Sequence, residues 1–468
     1  MIRPIGLSRR TMHLAAAALA LALGACSGDG TGGVRPDPGY RTAQPALAVG
    51  LNGATASAIL SVGDTLPGGF VFPPVPDGLG GYTEGANVVL FSSHELGVNG
   101  VPATAGGTLF GGARVSRLVL DRQSVTVLGG AYAVDAAAGY RNLCSATWAD
   151  APVGLPGGWF LAGEEATGAG KDGMQIAVGR AGQVVEMPWI GRFGHENLVA
   201  IPGFAGKVVL AGMDDTRGRS ELYLYVAANE TGVITGQGTL YVFASAQAAN
   251  VGELSAGEAI DGRFVAIPNA AALSSAQLQA AADAAGALHF VGVEDGDYNR
   301  RPGSSPALYF VDTGSATVPT SGAPWDPYGS IYRMELQAAD PTSARLTLLA
   351  RSAGPASGWA SPDNVGTSAR SLMVQEDPAH PAWARAPRIY RFPLFSATNL
   401  GAPLAVAEVQ SSCIYPNGCW ESSGIVDASS WFGEGMWLFD VQAHTRPEPR
   451  LGIAGESGQL LALRVPGS

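Results

Sequence analysis

Acidic side chains in this sequence cluster in pairs, or beside a His or an Asn, at the ends of short apolar segments. These groups are His94-Glu95, Glu164-Glu165, His195-Glu196, Asp214-Asp215, Glu294-Asp295, Asp363-Asn364, Glu376-Asp377 and the single Glu421. Taken alone, each group is typical of a solvated turn. If the fold brought them together, their charges would repel one another unless cations neutralised them. Oxygen-rich sites suit hard cations such as Ca2+, and one added thiolate favours a transition metal such as iron.

The four cysteines have three different expected roles. Cys413 and Cys419 frame a Pro-Asn-Gly turn and are predicted to close a short disulfide loop. Cys26 belongs to an export signal. Cys144 is left without a partner, so in an exported protein it is either buried and inert, or a metal ligand or nucleophile. Residue type alone favours the buried, inert alternative.

The N-terminal segment predicts where the protein works. Arg9 and Arg10 precede an apolar run over residues 14–23, and small residues then lead to Cys26. This order is typical of a twin-arginine export signal with a lipoprotein cleavage site, and the run is too short to span a bilayer. A generic secretory signal is the alternative to the twin-arginine route. Residues 1–25 are predicted to be removed, Cys26 to carry lipid, and residues 26–45 to contain a flexible tether. The expected location is the periplasm or outer membrane, with lipid as the only membrane attachment.

Composition excludes one class of partner. The chain has 468 residues, with 28 Lys and Arg against 39 Asp and Glu, and a formal net charge of −11. A nucleic-acid partner is not expected, because binding to a phosphate backbone needs a basic face. The length allows one large domain or two to three ordinary ones. We assign residues 46–468 to one domain and expect a monomer.

Short strands dominate that domain. Segments of about four to six residues, rich in Val, Leu, Tyr and Phe, alternate with Gly, Pro, Asp and Asn. Regular short strands over this length favour an all-β propeller with long loops, and a pair of two-sheet sandwiches is the alternative. The number of blades does not follow from these strands. One helix is predicted as an insertion between blades, capped by Ser274 with Gln277 as its capping-box partner and ending before Gly286.

At the acidic groups the chain resembles a known family, the PhoX-type alkaline phosphatases, which are exported bacterial phosphomonoesterases. Gly191-Arg192-Phe193-Gly194-His195-Glu196 resembles the family's Gly-Arg-Phe-x-His-Glu closely. The other similar segments keep the family's order along the chain: Ser61-Val62-Gly63-Asp64-Thr65-Leu66, Ser93-His94-Glu95, Asn142-Leu143-Cys144, Trp159 with Glu164-Glu165, Met213-Asp214-Asp215, Val293-Glu294-Asp295-Gly296, Pro362-Asp363-Asn364, Glu421-Ser422-Ser423-Gly424 and Gln442-Ala443-His444.

This resemblance implies an all-β, six-bladed β-propeller with one inserted helix and a mixed Fe3+ and Ca2+ site on one face. It makes Cys144 an iron ligand and so reverses the preference for an inert thiol. Glu196 and Glu294 become the carboxylate companions of that cysteine, and Glu294 also becomes a catalytic residue. Further implied ligands for iron or calcium are Glu95, Glu165, Asp215 and Glu421. The implied substrate is a phosphorylated small molecule.

One departure from the family concerns phosphate binding. The family's Arg two residues before the Glu of Arg-Pro-Glu-Asp is Gly292 here, and Gly does not replace a bidentate guanidinium. Arg300 or Arg301, in the loop that follows, is the expected substitute, and Arg300 is assigned a catalytic role. The leading hypothesis is a lipid-anchored, calcium- and iron-dependent phosphomonoester hydrolase. The alternatives are a non-catalytic, metal-stabilised propeller that acts as a binding scaffold, and a phosphodiesterase or phytase-like esterase.

Overall fold

A computed structural model describes residues 39–317, 325–378, 380–396, 398–411 and 419–468. The predicted export signal, the lipidated Cys26 and most of the predicted tether lie outside the described residues. The predicted disulfide also lies outside them, because Cys413 is not described.

Strands and a few short helices make up the described chain. The strands are β1 (Ala48–Gly50), β2 (Thr55–Ser61), β3 (Pro76–Glu84), β4 (Asn87–His94), β5 (Val101–Pro102), β6 (Thr108–Leu109), β7 (Arg114–Asp121), β8 (Val127–Val134), β9 (Leu143–Ala149), β10 (Trp159–Glu164), β11 (Gln175–Gly179), β12 (Val184–Glu186), β13 (His195–Ile201), β14 (Val208–Asp214), β15 (Leu222–Ala227), β16 (Gly238–Ala244), β17 (Ala259–Ile267), β18 (Val293–Tyr298), β19 (Ala307–Asp312), β20 (Ser330–Leu336), β21 (Ser343–Arg351), β22 (Pro362–Thr367), β23 (Ser371–Glu376), β24 (Arg388–Pro393), β25 (Leu404–Val409), β26 (Glu421–Asp427), β27 (Met436–Ala443) and β28 (Ser457–Arg464). The α-helices are α1 (Glu230–Ile234), α2 (Ser275–Ala284) and α3 (Ser429–Phe432). Short 3-10 helices span Ala136–Ala138, Ala151–Val153, Pro188–Ile190, Val251–Glu253 and Ala270–Ala272.

These strands form antiparallel sheets in which consecutive strands are mostly neighbours. Four small sheets have the orders β3-β4-β7-β8, β9-β10-β11-β12, β22-β23-β24-β25-β1 and β26-β27-β28-β2. A nine-stranded sheet has the order β13-β14-β15-β16-β17-β21-β20-β19-β18, and β5 pairs with β6 in a separate hairpin. The second strand, β2, thus completes the sheet built by the C-terminal strands β26 to β28, which joins the two ends of the described domain.

Six strands form a closed ring at the centre of the fold. Each of β3, β9, β13, β18, β22 and β26 contacts the next, and β26 returns to contact β3. Each ring strand is followed outward by antiparallel partners. This arrangement is all-β and propeller-like, as predicted, and differs from the sandwich alternative because the sheets surround a common axis.

Strand residues are more buried near the ring than at the outer edges of the sheets. In β14, with sequence VVLAGMD, every residue is buried, as in a strand covered on both faces. In β17, two positions out from β15, buried and exposed residues are interspersed. The predicted helix is confirmed as α2, with the Ser274–Gln277 capping box in place and Leu278 and Ala282 buried. Among the described residues, no helix is long and apolar enough to cross a membrane.

All six ring strands carry a break in strand register near their first residues. On β9, Leu143 pairs with Glu164 and Ala146 pairs with Ala162, so Cys144 and Ser145 together oppose one residue. Such a β-bulge redirects a side chain. The breaks in the ring strands include Asp77, Cys144, Glu196, Glu294, Asp363 and Gly424. In five of the six strands the bulge therefore carries a side chain of the candidate site.

Candidate metal centre

Acidic residues gather at one edge of the ring. Because neighbouring strands are antiparallel, the start of a ring strand lies beside the end of its partner. The starts of the ring strands contribute Asp77, Cys144, Glu196, Glu294, Asp363 and Glu421. The residues just after the partner strands contribute Glu95, Glu165, Asp215, Asp377 and His444.

Asp77, Glu95 and Cys144 form the first group, with candidate ligand atoms within 4.8 Å of one another. The Cys144 thiol lies 3.5 Å from Asp77 Oδ2, and Gln442 Nε2 donates to the same oxygen at 3.0 Å. Asn142 Nδ2 donates to Glu95 Oε1 at 3.2 Å. Asp77 Oδ1 is buried without a hydrogen-bond partner among the described residues. This group offers a cation two carboxylates and a thiol.

Glu196, Glu294 and Asp363 form the second group, again with candidate ligand atoms within 4.8 Å of one another. Ser145 connects this group to its surroundings. Its hydroxyl donates to Glu196 Oε1 at 2.6 Å and accepts from Asn364 Nδ2 at 2.5 Å. Ser145 follows Cys144 in the bulge of β9, so one bulge supplies the thiol of the first group and a positioning contact for the second.

Further carboxylates connect the two groups: Glu165, Asp215, Asp377 and Glu421. Burial is the main cause of the raised pKa values of Glu95 and Glu196, and the charge of Glu165 adds to both. The charge of Glu421 likewise adds to the effect of burial on the pKa of Asp363. The structure therefore brings the residues that the sequence analysis named as metal ligands to one edge of the ring. Cys144, however, groups with Asp77 and Glu95 and not with its expected companions Glu196 and Glu294.

Without cations, the thiol and the carboxylates of this site favour their protonated forms. Burial, followed by neighbouring negative charge, raises the pKa of the Cys144 thiol and of Asp77 well above their usual ranges. Burial also raises the pKa of Glu95 and of Glu294 to about 8. Like charges confined in a low-dielectric site cannot all ionise. A bound cation would favour the thiolate and the carboxylates instead, so metal binding would release protons.

The donor set fits a mixed cation centre. Carboxylate oxygens are the ligands that Ca2+ prefers, and a single thiol among them favours a transition metal at its position. Several buried oxygens at the site have no hydrogen-bond partner among the described residues: Asp77 Oδ1, Asp215 Oδ1, Asn364 Oδ1 and Gln442 Oε1. Unpartnered buried oxygens are costly, and cations or ordered water would satisfy them.

Two basic side chains face these carboxylates. Arg217 Nε lies 3.0 Å from Asp215 Oδ2, and its Nη2 lies 2.9 Å from Glu294 Oε1. His444 lies between Glu421 at 2.9 Å and Glu456 at 2.7 Å. Burial lowers the pKa of His444, but its two carboxylate hydrogen bonds outweigh that effect and raise the pKa to about 11. Both side chains therefore carry positive charge at neutral pH.

The structure does not bring Arg300 to the carboxylates. Arg300 pairs with Asp297 through Nε and Nη2 at 3.1 to 3.2 Å, and its Nη1 donates to the Tyr298 hydroxyl. The pair lines a cavity of about 250 Å³ towards the opposite ends of the ring strands. Arg301 donates to a backbone carbonyl elsewhere. Among the described residues, neither expected substitute for an arginine at Gly292 contacts the site.

A third group, Glu221, Asp283 and His289, lies apart from the ring near helix α2. Gln279 Nε2 donates to Glu221 Oε1 at 2.6 Å, and His289 Nδ1 lies 2.9 Å from the same oxygen. Arg219 pairs with Asp283. Protein groups thus already engage Glu221 Oε1 and Asp283, whereas Glu221 Oε2 is buried without a hydrogen-bond partner among the described residues.

Sequence reasoning did not assign Asp77 or Arg217 to the site, and it included Asp363 among the acidic groups without naming it as a metal ligand. A usable pattern existed for the two aspartates, because the dipeptide Pro-Asp begins both ring strands β3 and β22. No comparable sequence pattern marks Arg217. Arg219 lies two residues away in the same loop, and nothing in the sequence distinguishes the two arginines.

Comparisons with known proteins identify the family of this chain and structures of similar fold. The family model described as "Alkaline phosphatase PhoX" matches residues 180–418, just over half of the chain. The structure is similar to Pseudomonas fluorescens PhoX in complex with vanadate, a transition state analogue. That match has a TM-score of 0.64 and 14% sequence identity, and covers 91% of this chain and 97% of that chain. A sialidase of Trypanosoma rangeli matches with a TM-score of 0.42 and 10% identity, over 88% of this chain and 58% of that chain. No curated protein sequence matches the chain.

Proposed function

The chain belongs to the PhoX alkaline phosphatase family, and on that premise we propose that it is a metal-dependent phosphomonoester hydrolase working outside the cytoplasm. One observation carries the proposal. Carboxylates and one thiol from the six ring strands, with carboxylates from four of their partner strands, converge on one edge of the ring. Phosphoryl transfer needs concentrated positive charge to stabilise the transition state, and such a donor set can hold several cations close together.

We propose six blades for the fold. The closed ring of six strands supports this number, since each blade contributes one inner strand. The nine-stranded sheet is then two blades, β13 to β16 and β18 to β21, joined at their outer edges through β17.

Fe3+ and Ca2+ are the proposed cofactors. Cys144 with Asp77 and Glu95 would hold the transition metal, because these residues include the thiol. Glu196, Glu294 and Asp363, with Glu165, Asp215 and Glu421 around them, would hold cations through oxygen alone. When bound, the cations would neutralise the charge of the phosphate group. Ser145 and Asn364 would orient Glu196, and Gln442 would orient Asp77.

The proposed location rests on the N-terminal sequence. Twin arginines, a short apolar run and Cys26 support export followed by lipid anchoring in the periplasm or outer membrane. We propose that the chain acts there as a monomer on phosphorylated small molecules.

The function is tested with purified protein reconstituted with iron and calcium. Hydrolysis of p-nitrophenyl phosphate, and slower or no hydrolysis of bis-p-nitrophenyl phosphate, is the expected result, with metal content measured on the same sample. Preference for the diester would replace the proposal with a phosphodiesterase. Full metal content without turnover of any common monoester would favour a binding scaffold. A protein that binds neither iron nor calcium would contradict the proposal altogether.

A further inference from the structure

Two of the three guanidinium nitrogens of Arg217 make its closest contacts to carboxylates, and the third takes part in neither. The closest contacts to Asp215 and Glu294 are made by Nε at 3.0 Å and Nη2 at 2.9 Å. Both carboxylates are buried, at 2% and 4% exposure, whereas 50% of the arginine side chain is exposed. Nη1, with its two N–H donors, takes part in neither closest contact. The guanidinium therefore keeps one nitrogen outside these two contacts, on a side chain that is half exposed.

Gly292 leaves room for the Asp215 carboxylate that anchors Arg217. A Cβ at position 292 would lie 2.8 Å from Asp215 Oδ1, and 3.4 and 3.5 Å from Cδ and Nη1 of Arg217. The first distance is too short for a carbon and an oxygen, so the Asp215 carboxylate would have to move. Because that carboxylate anchors Nε of Arg217, a side chain at position 292 would displace the guanidinium as well.

A phosphate group entering this site needs a positive donor that is still available. Among the described residues, Arg217 and His444 are the basic side chains in contact with the carboxylates. Both ring nitrogens of His444 are already engaged by Glu421 and Glu456. Of these two described side chains, Arg217 is the one with a nitrogen not already engaged. A guanidinium suits phosphate oxygens because its N–H groups are planar and permanently charged.

We infer that Arg217 binds the phosphoryl oxygens of the substrate through Nη1, and that the missing side chain at Gly292 is what allows it to lie there. The inference rests on the proposed function for the class of substrate. Asp215 and Glu294 hold the guanidinium in place before substrate arrives, which reduces the ordering needed on binding. The competing explanation is that Arg217 only neutralises its two carboxylates.

Binding of inorganic phosphate to the metal-loaded protein separates these explanations. Titration calorimetry is done on wild type, Arg217→Ala, Arg217→Lys and the matched control Arg219→Ala, with metal content measured for each. Arg219 lies in the same loop but pairs with Asp283, away from the site. We expect about 30-fold weaker phosphate binding for Arg217→Ala and about 10-fold for Arg217→Lys, which keeps the charge but loses the planar donors. The control should stay within about twofold of wild type. Unchanged phosphate affinity in Arg217→Ala, at unchanged metal content, would overturn the inference.

Gly292→Ala tests the second half of the inference without removing a charge. It should weaken phosphate binding about fivefold in the wild-type background and have little further effect beside Arg217→Ala, because the two changes act on one contact. Full additivity in this double-mutant cycle would show that Gly292 and Arg217 are independent.

Phosphate binding does not require turnover, so this result is separable from the function. A protein that binds phosphate through Arg217 but hydrolyses no monoester would remove the proposed function and keep the inference. Monoester hydrolysis with an unchanged KM in Arg217→Ala would keep the proposed function and remove the inference.

Discussion

Both ends of the ring strands are rich in carboxylates, but the carboxylate oxygens have different hydrogen-bond partners at the two ends. At the end where the strands begin, Asp77 and Asp215 each keep one buried oxygen without a hydrogen-bond partner among the described residues. Further along β18, Asp295 lines the cavity described above and accepts from Asn197, from Gly296 N and from Val365 N. Asp297 there accepts from Arg300 and from the backbone and hydroxyl of Thr367.

This difference separates a binding site from a structural network. Carboxylates whose oxygens are all taken by N–H and O–H donors have no need of a cation. Carboxylates that mostly face one another are stable only when protonated or when cations bind between them. The number of carboxylates does not distinguish the two ends; the supply of donors does.

The largest expected effect comes from the thiol. Cys144→Ser keeps the size of the side chain but replaces a soft sulfur ligand, so iron content should fall and phosphomonoesterase activity should drop at least about 1000-fold. Activity and iron content are measured together, with thermal unfolding of the metal-free protein as the check that folding is intact. Full iron content with wild-type activity would mean that Cys144 is a buried thiol without a metal role, as its residue type alone would favour.

A smaller effect is expected from pH on the metal-free protein. Glu95 and Glu294 have pKa values raised to about 8 in the folded state, mainly by burial, so they hold protons that the unfolded chain has lost. The unfolded state binds fewer protons over this range, so the free energy of unfolding should fall as pH rises from 5 to 8.

Urea unfolding across that pH range measures the effect, and metal-loaded protein is the control. Bound cations should remove the decrease, because they favour the ionised carboxylates. If the metal-free protein became more stable towards pH 8, the carboxylates at the start of the ring strands would have to be paired with donors after all.

The smallest effect is expected at the other end of the ring. Arg300→Met leaves Asp297 with the Thr367 donors but without its charged partner, which should cost about 2 kcal/mol in unfolding free energy. Urea unfolding measures this cost, while metal content and the KM for p-nitrophenyl phosphate should stay unchanged. A marked rise in KM would place Arg300 in substrate binding, and the other end of the ring could then no longer be described as purely structural.

Much of this architecture was predictable from local pattern. Short strands rich in aliphatic and aromatic residues predict an all-β fold, and the Ser274–Gln277 capping box predicts helix α2, which is present. Acidic pairs at strand ends predict cation binding, and the structure brings Glu95, Glu165, Glu196 and Glu294 to one site. Asp77 was missed because its only local pattern is the dipeptide Pro-Asp, and that pattern becomes informative only once β3 and β22 are known to begin at the same edge of the ring.

Arg217 shows why the remainder of the site was not predictable. The sequence drew attention to Arg300 and Arg301, because they follow Glu294 closely along the chain. In the structure the nearest cation to Glu294 comes instead from the loop between β14 and β15. Distance along the chain is a poor guide when each ring strand begins at one edge of the ring and leaves at the other.

By itself, the sequence determined which residue types are present and that they lie at strand ends, because periodicity, turn residues and capping act over a few neighbouring positions. Only the tertiary structure decided which of them meet. The closed ring places six distant strand starts side by side, and the bulges turn their side chains together. Whether a carboxylate there contacts a hydrogen-bond donor or another carboxylate depends on strands that are distant in the chain, so no local sequence pattern predicts its partner.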